Sequence, residues 1–563
     1  MHSRTFRPVD PMYPEPRDPH PAPRAAVVVI GYDDRAHVAD AVRSALAQRP
    51  AVAEVIAVDD GSTDGSAGLL ARLADGEPRL RVVRRDVNSG GCGSPRNAGI
   101  DAATAPYVMF LDSDDVLPPG AVDALLAAAT GAHAEVASGL CVRREQPSGR
   151  EQPWQAFLYP AHRVLARPAQ LPRLVHDTLC VNKLYRTGFL RDHGIRFPEG
   201  RFRYEDFVFT ARVLAASPRV VLVPDRVYVW QVRRSAERLS LSLDREHVEN
   251  WAARVEACAL AYDILLGAGQ KELARAARAK FLDHELRMYA RELGLRDAAY
   301  RRAWWALTRE YLARYDAADW EPDPAAPGRL LGRVLLASPE PRDLPRLGEL
   351  AARSARLLPP YARTPDGVPV WSADLPQVSL APLLTRPVPV LPLAVDAELR
   401  PRARASLLCL RLHELYGRVT AAGPTEVDVV WHAREDGRAR GRTTAALTPS
   451  GPGIWSAEVP VGLAGLGSGT WDLRLTLRFA DGGRRAVTAH ARTGAGRLRR
   501  RAVPSAAHGV LLAQPYATHS GALALRVASG VRGVLAVARG RLRRRLLHWD
   551  PGPPKSRRGD GRT

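Results

Sequence analysis

The segment Tyr107–Asp115, with the sequence Tyr-Val-Met-Phe-Leu-Asp-Ser-Asp-Asp, constrains the fold of this chain most, because an apolar strand leads directly into acidic residues. Side chains at positions i and i+2 of an extended segment point the same way, so Asp112 and Asp114 can converge on one hard cation. Asp-rich turns at strand ends are also common solvated structure, and calcium-binding loops alternate acidic residues as well. The surrounding sequence has to decide between these interpretations.

Two further apolar strands with acidic ends precede this segment, at Ala25–Ile30 and Glu54–Asp60. Leu80–Val83 is a third predicted strand, and the glycine-rich loop Asn88–Asn97 after it leads into a helix. The apolar residues between the first two strands recur at helical spacing, which predicts a β-α-β unit; they are Val38, Ala41, Val42, Ala45 and Leu46. Ligands of open α/β sheets bind beyond the carboxyl ends of the strands. We therefore expect one shared crevice, lined by Tyr32, Asp59, Asp60, Arg96, Asp112 and Asp114.

These motifs resemble the family 2 glycosyltransferases, which have the GT-A fold and use nucleotide-sugar donors. The resemblance covers residues 24–245 and rests on motifs in the order and spacing of the family. The family more often has Pro-Val-Tyr-Asn where this chain has Ile-Gly-Tyr-Asp at Ile30–Asp33. The matching segments are Val29–Tyr32, Val58–Asp64, Asn88–Gly99, Phe110–Asp115, Asn182–Arg186, Gly194–Gly200, Tyr204–Phe209 and Tyr228–Ser235.

The resemblance implies roles for individual residues on the donor side. Asp60 would accept a hydrogen bond from the uracil N3–H, with Tyr32 beside the base. Asp114 would bind Mg²⁺ or Mn²⁺, and Asp112 would face the ribose or the same metal. Arg96 would contact the nucleotide or the diphosphate, although an arginine one turn into a helix is as often a surface charge. An Asx-turn that caps a helix is an alternative that fits Asp64 better than Asp60.

The pair Glu205 and Asp206 provides the second half of the predicted chemistry. An acceptor hydroxyl needs a base in line with the bond that breaks, and one carboxylate suffices for a single inverting displacement. Neighbouring residues on a helix point about 100° apart, so we expect only one of the two acids to face the site. The resemblance favours Asp206 as the catalytic base. The alternative is that both acids simply favour a helix N-terminus.

Two arginines follow a predicted strand and match a basic pair that lies near the donor phosphates in related enzymes. They are Arg233 and Arg234, and arginine suits this role through its planar donor fork. A solvated position at the rim of the site is nearly as well supported for either residue.

Composition and pattern predict a division of the 563 residues into six parts. The predicted fold class is an α/β GT-A sheet of Rossmann type, followed by a helical region and a C-terminal domain resembling a β-sandwich. The parts are a disordered tail at 1–23, the GT-A domain at 24–243, a helical region at 244–320, a Pro-rich linker at 321–387, a β-rich accessory domain at 388–500 and a basic region at 501–563.

The five scattered cysteines, without a Cys-x-x-Cys pair, argue against a disulfide framework or a zinc site and favour a reducing cytosol. No stretch approaches the roughly 20 apolar residues that a membrane span needs. The net charge of +21, with basic clusters at Arg497–Arg501 and Arg539–Arg545, predicts attraction to anionic polymers or to anionic lipid at the inner face of the membrane. Specific nucleic-acid binding is disfavoured, because no recognition motif accompanies the charge.

The sequence thus predicts a cytoplasmic enzyme, with peripheral contact at the inner face of the membrane. We expect an inverting transfer from a UDP-sugar to a hydroxyl of a cell-envelope polysaccharide, a teichoic acid or a lipid-linked acceptor. The β-rich domain would suit homo-oligomerisation. Two alternatives remain at this point: a nucleotidyltransferase, and a non-catalytic protein that binds anionic polymers on a GT-A scaffold.

Overall fold

The computed structural model describes residues 24–233, 245–321, 327–352, 355–402, 406–493, 498–505, 508–518 and 520–530. The chain divides into two compact units, Met1–Phe281 and Leu282–Thr563, and the division falls in a π-helical segment, Phe281–Leu286. The predicted tail at 1–23 and the basic cluster Arg539–Arg545 lie outside the described residues.

The first unit is built on a nine-stranded mixed sheet with the order β3-β2-β1-β4-β8-β5-β9-β7, in which β6 pairs with β5. Strands β1 to β4 are parallel to one another, and β8 is antiparallel to both β4 and β5. The strands are β1 Ala25–Gly31, β2 Val52–Asp59, β3 Leu80–Arg84, β4 Tyr107–Asp112, β5 Val136–Gln146, β6 Arg150–Pro153, β7 Arg163–Leu165, β8 Lys183–Arg186 and β9 Val220–Arg233.

Strands β1 and β4 are almost wholly apolar because helices cover both faces of a parallel sheet. Every residue of Ala25–Ile30 and of Tyr107–Leu111 is buried. The helices of this unit are α1 Val38–Leu46, α2 Ser66–Ala74, α3 Gly93–Ala102, α4 Ala121–Gly131, α5 Thr187–Asp192, α6 Glu205–Ala215, α7 Val248–Gly267 and α8 Lys271–Lys280, with short 3-10 turns at Ala156–Leu158, Pro168–Gln170 and Pro172–His176.

An aromatic cluster joins β4 to α6 beneath the acidic strand ends. The rings of Phe197 and Phe209 are stacked, with centroids 3.8 Å apart and planes 2° from parallel. Phe110 of β4 meets both rings edge-on, at 5.2 and 5.9 Å. Since these three side chains are buried, the cluster fixes the start of α6 relative to the end of β4.

The second unit begins with helices and continues into β-structure. Its helices are α9 Arg287–Ala290, α10 Ala298–Leu312, α11 Ala317–Trp320, α12 Pro327–Ala337, α13 Leu344–Ala351, α14 Ala381–Leu384, α15 Arg418–Ala422 and α16 Leu463–Leu466, with 3-10 turns at Leu293–Leu295 and Val388–Val390. The stretch 321–387, predicted from its prolines to be a linker, thus contains helices, and its Trp371 and Leu380 are fully buried. Within this stretch, α12 packs against α10 and α13 packs against α9, so its apolar residues are buried against neighbouring helices.

Two sheets and a short hairpin form the rest of the second unit, which confirms the predicted β-rich C-terminal region. One sheet has the order β16-β17-β13-β12-β20, and the other has the order β15-β14-β18-β23-β22-β21, with β19 paired to β18. The strands are β10 Ala362–Arg363, β11 Pro369–Val370, β12 Val395–Arg400, β13 Ser406–His413, β14 Pro424–Ala433, β15 Ala439–Ala446, β16 Thr448–Pro449, β17 Ile454–Val461, β18 Gly469–Phe479, β19 Arg484–Val487, β20 Ala489–Ala491, β21 Arg501–Ser505, β22 Gly509–Ala517 and β23 Leu523–Ser529.

Burial alternates along these strands, as a sheet with one covered face requires. In β18, Trp471, Leu473, Leu475, Leu477 and Phe479 are buried. Within the part of the chain that the structure describes, no helix combines the length and the apolar character needed to cross a membrane.

Candidate active site

The carboxyl ends of β1, β2 and β4 bring the predicted acidic loops together. Strand β1 lies between the other two, with Gly31 opposite Asp59 and Ile30 opposite Asp112. The Asp60 N–H donates to the Gly31 carbonyl at 3.0 Å. The two acidic strand ends therefore flank the end of β1, as the parallel arrangement predicts.

Asp60 is held by the loop that follows β3. Its Oδ2 accepts hydrogen bonds from the Ser89 N–H at 3.0 Å, the Ser89 hydroxyl at 2.8 Å and the Asn88 amide at 3.1 Å. Arg85 Nε lies 2.8 Å from Oδ1 as an ion pair. Gly61, which follows, has a φ of +78°, and a Cβ there would lie 2.6 Å from the Asn88 backbone nitrogen. Only glycine fits this close approach of the two loops.

The loop after β1 is tied to both neighbouring loops. The Asp33 carboxylate accepts hydrogen bonds from the backbone N–H groups of Thr63 at 2.6 Å and Asp64 at 3.3 Å, and these bonds lower the pKa of Asp33. Asp34 accepts a hydrogen bond from the Ser113 hydroxyl at 2.7 Å. Tyr32 stands at this rim with 36% of its surface exposed.

The loop after β4 presents Asp114 to solvent and buries Asp115. The Asp114 side chain is 49% exposed, and its Oδ2 lies 3.7 Å from Arg233 Nη1. The pKa of Asp114 is raised to about 6, first by partial removal from solvent and then by the negative charges of Asp112 and Asp34. Negative charge therefore accumulates at this end of the sheet.

A buried arginine connects the donor side of the site to the acceptor side. Arg96, near the start of α3, is 2% exposed, and its Nη2 donates to Asp112 Oδ1 at 2.7 Å. Its Nη1 donates to Glu205 Oε1 at 2.6 Å and to Asp206 Oδ1 at 3.2 Å. The guanidinium therefore holds the end of β4 and the first turn of α6 in one ion-pair network.

Both acids of the Glu205–Asp206 pair reach this guanidinium, whereas helix geometry had predicted that only one would face the site. Glu205 is the less exposed of the two, at 12% against 21%. Burial and the neighbouring Asp206 charge raise the pKa of Glu205 to about 7, although Arg96 opposes the shift. Asp206 Oδ1 also accepts a weak hydrogen bond from Cys180 Sγ at 3.6 Å. Among the described residues, both contacts of the Asp206 carboxylate are made by Oδ1, and Oδ2 has no hydrogen-bond partner.

Comparison with known proteins identifies the family. The sequence profile of glycosyl transferase family 2 matches residues 26–194. The succinoglycan biosynthesis protein ExoO of Rhizobium meliloti (strain 1021) is 31% identical over 265 residues, which cover 46% of this chain and 73% of ExoO. The chain belongs to glycosyl transferase family 2.

Another relative of this family 2 chain is the poly(ribitol-phosphate) beta-N-acetylglucosaminyltransferase TarS of Staphylococcus aureus (strain Mu50 / ATCC 700699), 29% identical over 217 residues. That match covers 38% of this chain and only 36% of TarS. The crystal structure of S. aureus TarS superposes with a TM-score of 0.51 at 18% identity, and covers 90% of this chain and 85% of that one. A likeness at this identity concerns the fold alone.

The residues of the family 2 site fit a divalent cation only in part. Among residues 24–530, within the described ranges, no group of three or more His, Cys, Asp or Glu side chains is placed to hold a metal ion. The exposed Asp114 carboxylate, beside the charges of Asp112 and Asp34, nevertheless offers the hard oxygen ligands that Mg²⁺ and Mn²⁺ accept. A bound diphosphate would have to supply the remaining oxygens.

The start of α6 in the family 2 chain is supported from behind by α7. Tyr204 precedes Glu205 with a φ of +61°, which is unusual for a residue with a side chain. Its hydroxyl donates to the side chain of Asn250, which is fully buried in α7. The Arg254 guanidinium lies 4.2 Å from the centroid of the Tyr204 ring. These contacts hold the strained residue that aims the two acids.

The predicted basic pair is only partly described. The Arg233 Nη1 donates to the Asp114 carbonyl at 3.0 Å, which places this cation at the loop of the predicted metal ligand. Arg234 lies outside the described residues.

Asp64 accepts hydrogen bonds from the N–H groups of Ser66 at 2.9 Å and Arg35 at 2.8 Å, and so makes the turn that was the alternative for Asp60.

No catalytic or binding role was predicted for Asp115 or Lys183, which lie in the matching motifs Phe110–Asp115 and Asn182–Arg186. Asp115 is buried and accepts hydrogen bonds from the Tyr228 hydroxyl and the Gln231 N–H, both at 2.7 Å, so it anchors β9 to the acidic loop. Lys183 forms a buried ion pair with Asp177 at 3.0 Å. The only sequence signal for Asp115 was its place at the end of the acidic run, and the partners of Lys183 gave no signal.

Proposed function

We propose that this chain is an inverting glycosyltransferase that transfers a sugar from a UDP-sugar to a hydroxyl group of a cell-envelope polysaccharide or teichoic acid. Family membership supports the transferase chemistry. The names of ExoO and TarS, which refer to succinoglycan biosynthesis and to poly(ribitol phosphate), support this class of acceptor. The observation that carries the proposal is the link through Arg96 between Asp112 at a strand end and Asp206 at the start of α6.

On the donor side, Asp60 and Tyr32 would bind the base, and Arg233, with Arg234, would bind the phosphates. A guanidinium suits this role because its planar fork pairs with two phosphate oxygens. Mg²⁺ or Mn²⁺ held by Asp114 and Asp112 would neutralise the charge that develops on the departing diphosphate. The accumulation of carboxylates at the ends of β1 and β4 supports this assignment.

On the acceptor side, Asp206 would act as the general base. Its Oδ2 takes the proton of the acceptor hydroxyl, the hydroxyl oxygen bonds to the anomeric carbon, and the bond from that carbon to the diphosphate oxygen breaks. One displacement of this kind inverts the anomeric configuration. Asp206 suits the role better than Glu205, because it is the more exposed acid and makes the longer contact with Arg96, 3.2 Å against 2.6 Å.

We further propose that the enzyme works in the cytoplasm, at the inner face of the membrane. All five cysteines are free thiols in the structure, which suits a reducing compartment. The polysaccharide or teichoic acid acceptor would be present at this face as a lipid-linked chain. The net positive charge of the protein would favour binding to the anionic membrane surface.

The test is a donor screen with the purified full-length chain, which measures the nucleoside diphosphate released with Mn²⁺, with Mg²⁺ and with a chelator. We expect nucleoside diphosphate to be released from a UDP-sugar only when both metal and acceptor are present. NMR of the sugar product should show an inverted anomeric configuration. Asp206→Asn should abolish release, whereas the control Asp101→Asn, an exposed acid paired with Arg196, should not. Release of pyrophosphate instead would indicate a nucleotidyltransferase, and no release from any donor would indicate a binding protein.

A further inference from the structure

The outward face of the larger C-terminal sheet carries a row of arginines. Residues on this face alternate with buried ones, and the strand register places Thr470, Arg526 and Gln514 side by side on β18, β23 and β22. Arg434 extends the row at one end, because its N–H donates to the Thr470 carbonyl at 2.8 Å. Arg500 extends it at the other end, because it donates to Gln514 Oε1 at 2.8 Å.

We call this surface the arginine face and define it by Arg434, Arg474, Arg500, Arg526 and Tyr516. Arg474 belongs to it because it is an exposed outward position of β18, opposite Val430. Tyr516 belongs to it because it pairs with Ala524, the outward neighbour of Asp472. Arg434 adjoins the end of β14, Arg526 lies on β23 and Arg500 adjoins the start of β21, so their backbone positions are two strands apart in the sheet order.

Tyr516 organises two of the guanidinium groups. The Arg526 guanidinium carbon lies 4.7 Å from the centroid of the Tyr516 ring, and that of Arg434 lies 5.9 Å from it. Stacking on an aromatic ring orients a guanidinium while leaving its N–H donors at the edges available. The ring thus reduces the conformational freedom that these long side chains would lose on binding an anion.

The charge of this face is only partly balanced. Arg434 pairs with Asp472, whose side chain is 40% exposed. Glu426 and Asp428 of β14 are engaged by Arg478, at 3.3 and 2.8 Å. The exposed acids Glu435 and Asp436 follow Arg434, and Asp436 pairs with Arg438. Arg474 and Arg526 are exposed and have no acidic partner within the described residues. Arg474 and Arg526 therefore remain available to an anionic ligand.

We propose that the arginine face binds a linear polymer of phosphodiester-linked polyol units. Phosphate oxygens are the acceptors that guanidinium groups bind in pairs, and several arginines on one face suit a chain that carries a phosphate on every unit. The inference deepens the proposed function, because it names a surface that would hold the acceptor chain. It does not depend on the chemistry of transfer.

A nucleic acid and a bilayer fit this face less well. Single-stranded nucleic acids need open aromatic faces for base stacking, whereas the Tyr516 ring is stacked with arginines. A bilayer surface would favour exposed apolar side chains as anchors. In the described residues of β14, β15, β18 and β21 to β23, Val510, at 44%, is the one large apolar side chain with more than about a third of its surface exposed. The exposed Asp472 within the row would also oppose an anionic bilayer.

The test uses the full-length chain and the double variant Arg474→Glu with Arg526→Glu. Its matched control is Arg72→Glu with Arg302→Glu, two exposed arginines on helices α2 and α10, with the same change in net charge. Binding is measured by titration with poly(ribitol phosphate), with vesicles of phosphatidylglycerol and with single-stranded DNA, in the absence of donor. We expect the face variant to lose at least about tenfold in affinity for the polymer, and the control to lose less than about twofold.

Two further variants separate the possible outcomes. Arg474→Gln with Arg526→Gln removes the charges without adding repulsion, so it replaces the glutamate variant if that protein has a lowered melting temperature. Asp206→Asn should keep full polymer affinity even though transfer is lost, so a failure of the proposed function would leave this result intact. Unchanged polymer affinity in folded face variants would overturn the proposal. The proposal would also be overturned if the face variants lost affinity only for vesicles or DNA. An equal loss of polymer affinity in the control Arg72→Glu with Arg302→Glu would overturn it as well.

Discussion

Arg96 and Glu205, 109 positions apart in the chain, form a 2.6 Å ion pair that brings the start of α3 against the start of α6. The same guanidinium reaches Asp112 at 2.7 Å. Because the arginine is almost completely buried, its charge depends on these carboxylates for compensation. The geometry makes Arg96 a positioning residue for both halves of the proposed reaction.

Replacing Arg96 with methionine should therefore cost far more than replacing a surface arginine. Removal of one member of a buried ion-pair network leaves uncompensated charge, and such changes cost about 3–5 kcal/mol. We expect a decrease of that size in the free energy of unfolding, measured by urea denaturation at neutral pH. The control is Arg43→Met, which breaks an exposed pair with Asp40 and should cost less than about 1 kcal/mol. Equal effects of the two substitutions would contradict the central role of Arg96.

The stability of the protein should depend on pH through Glu205. Its pKa is raised from the ordinary value of 4.5 to about 7 in the folded state, so folding favours the protonated acid. This contribution to stability is fully present below the unfolded pKa and is lost as the pH rises through the folded pKa. We expect Glu205→Gln to flatten the stability profile between about pH 4.5 and 7, as measured by denaturation at several pH values. A profile with the same slope in the variant would show that Glu205 does not carry this titration.

The pattern of parallel strands explains how much of the site could be predicted. Acidic residues at the ends of adjacent parallel strands must converge, so the proximity of Asp60 and Asp112 to the end of β1 followed from the sequence. The contact between Arg96 and Glu205 did not follow, because it depends on how two distant helices pack. Both acids reach Arg96 because a single guanidinium nitrogen, Nη1, lies within hydrogen-bond distance of Glu205 and of Asp206.

The region 321–387 shows the limit of composition as a guide. Its prolines predicted a linker, but proline is compatible with the first turn of a helix, where α12 and α13 have it. The indole N–H of Trp371 donates to Asp343 at 2.7 Å, and its ring is fully buried. Tertiary contacts of this kind bury the apolar side chains of the stretch, and composition alone does not show such contacts.

Substitution of Asp114 tests the metal assignment. Asp114→Asn should abolish transfer and the metal-dependent part of donor binding, because a neutral amide is a poor ligand for Mg²⁺ or Mn²⁺. The fold should be unaffected, since the side chain is about half exposed at a strand end. Calorimetric titration of the donor with Mn²⁺ and with a chelator measures the effect, and Asp101→Asn is the control. Unchanged turnover in Asp114→Asn would remove this residue from the site.

Packing beneath the site can be tested at Gly99, in the helix that carries Arg96. A Cβ at this position would collide with the side chain of Val28 in β1, so Gly99→Ala should destabilise the protein by about 1–3 kcal/mol. Gly131→Ala is the control, because a Cβ there meets open space. Adding Val28→Ala to the Gly99 variant should restore part of the loss, since it removes the atoms that collide. Additive losses in the double variant would show that the collision is not the cause.

The final prediction separates binding from chemistry at Asp206. Asparagine keeps the shape of the side chain and its contact with Arg96 but cannot accept a proton, and the loss of a general base typically costs on the order of 10²–10⁴ in rate. We expect kcat to fall by that factor while the affinity for the donor stays within about twofold, as measured by steady-state kinetics and equilibrium titration. Glu205→Gln is the matched variant, because it changes the neighbouring acid on the same guanidinium. If Asp206→Asn weakened donor binding as much as it slowed transfer, Asp206 would be a donor ligand. A larger loss of kcat in Glu205→Gln would then make Glu205 the base.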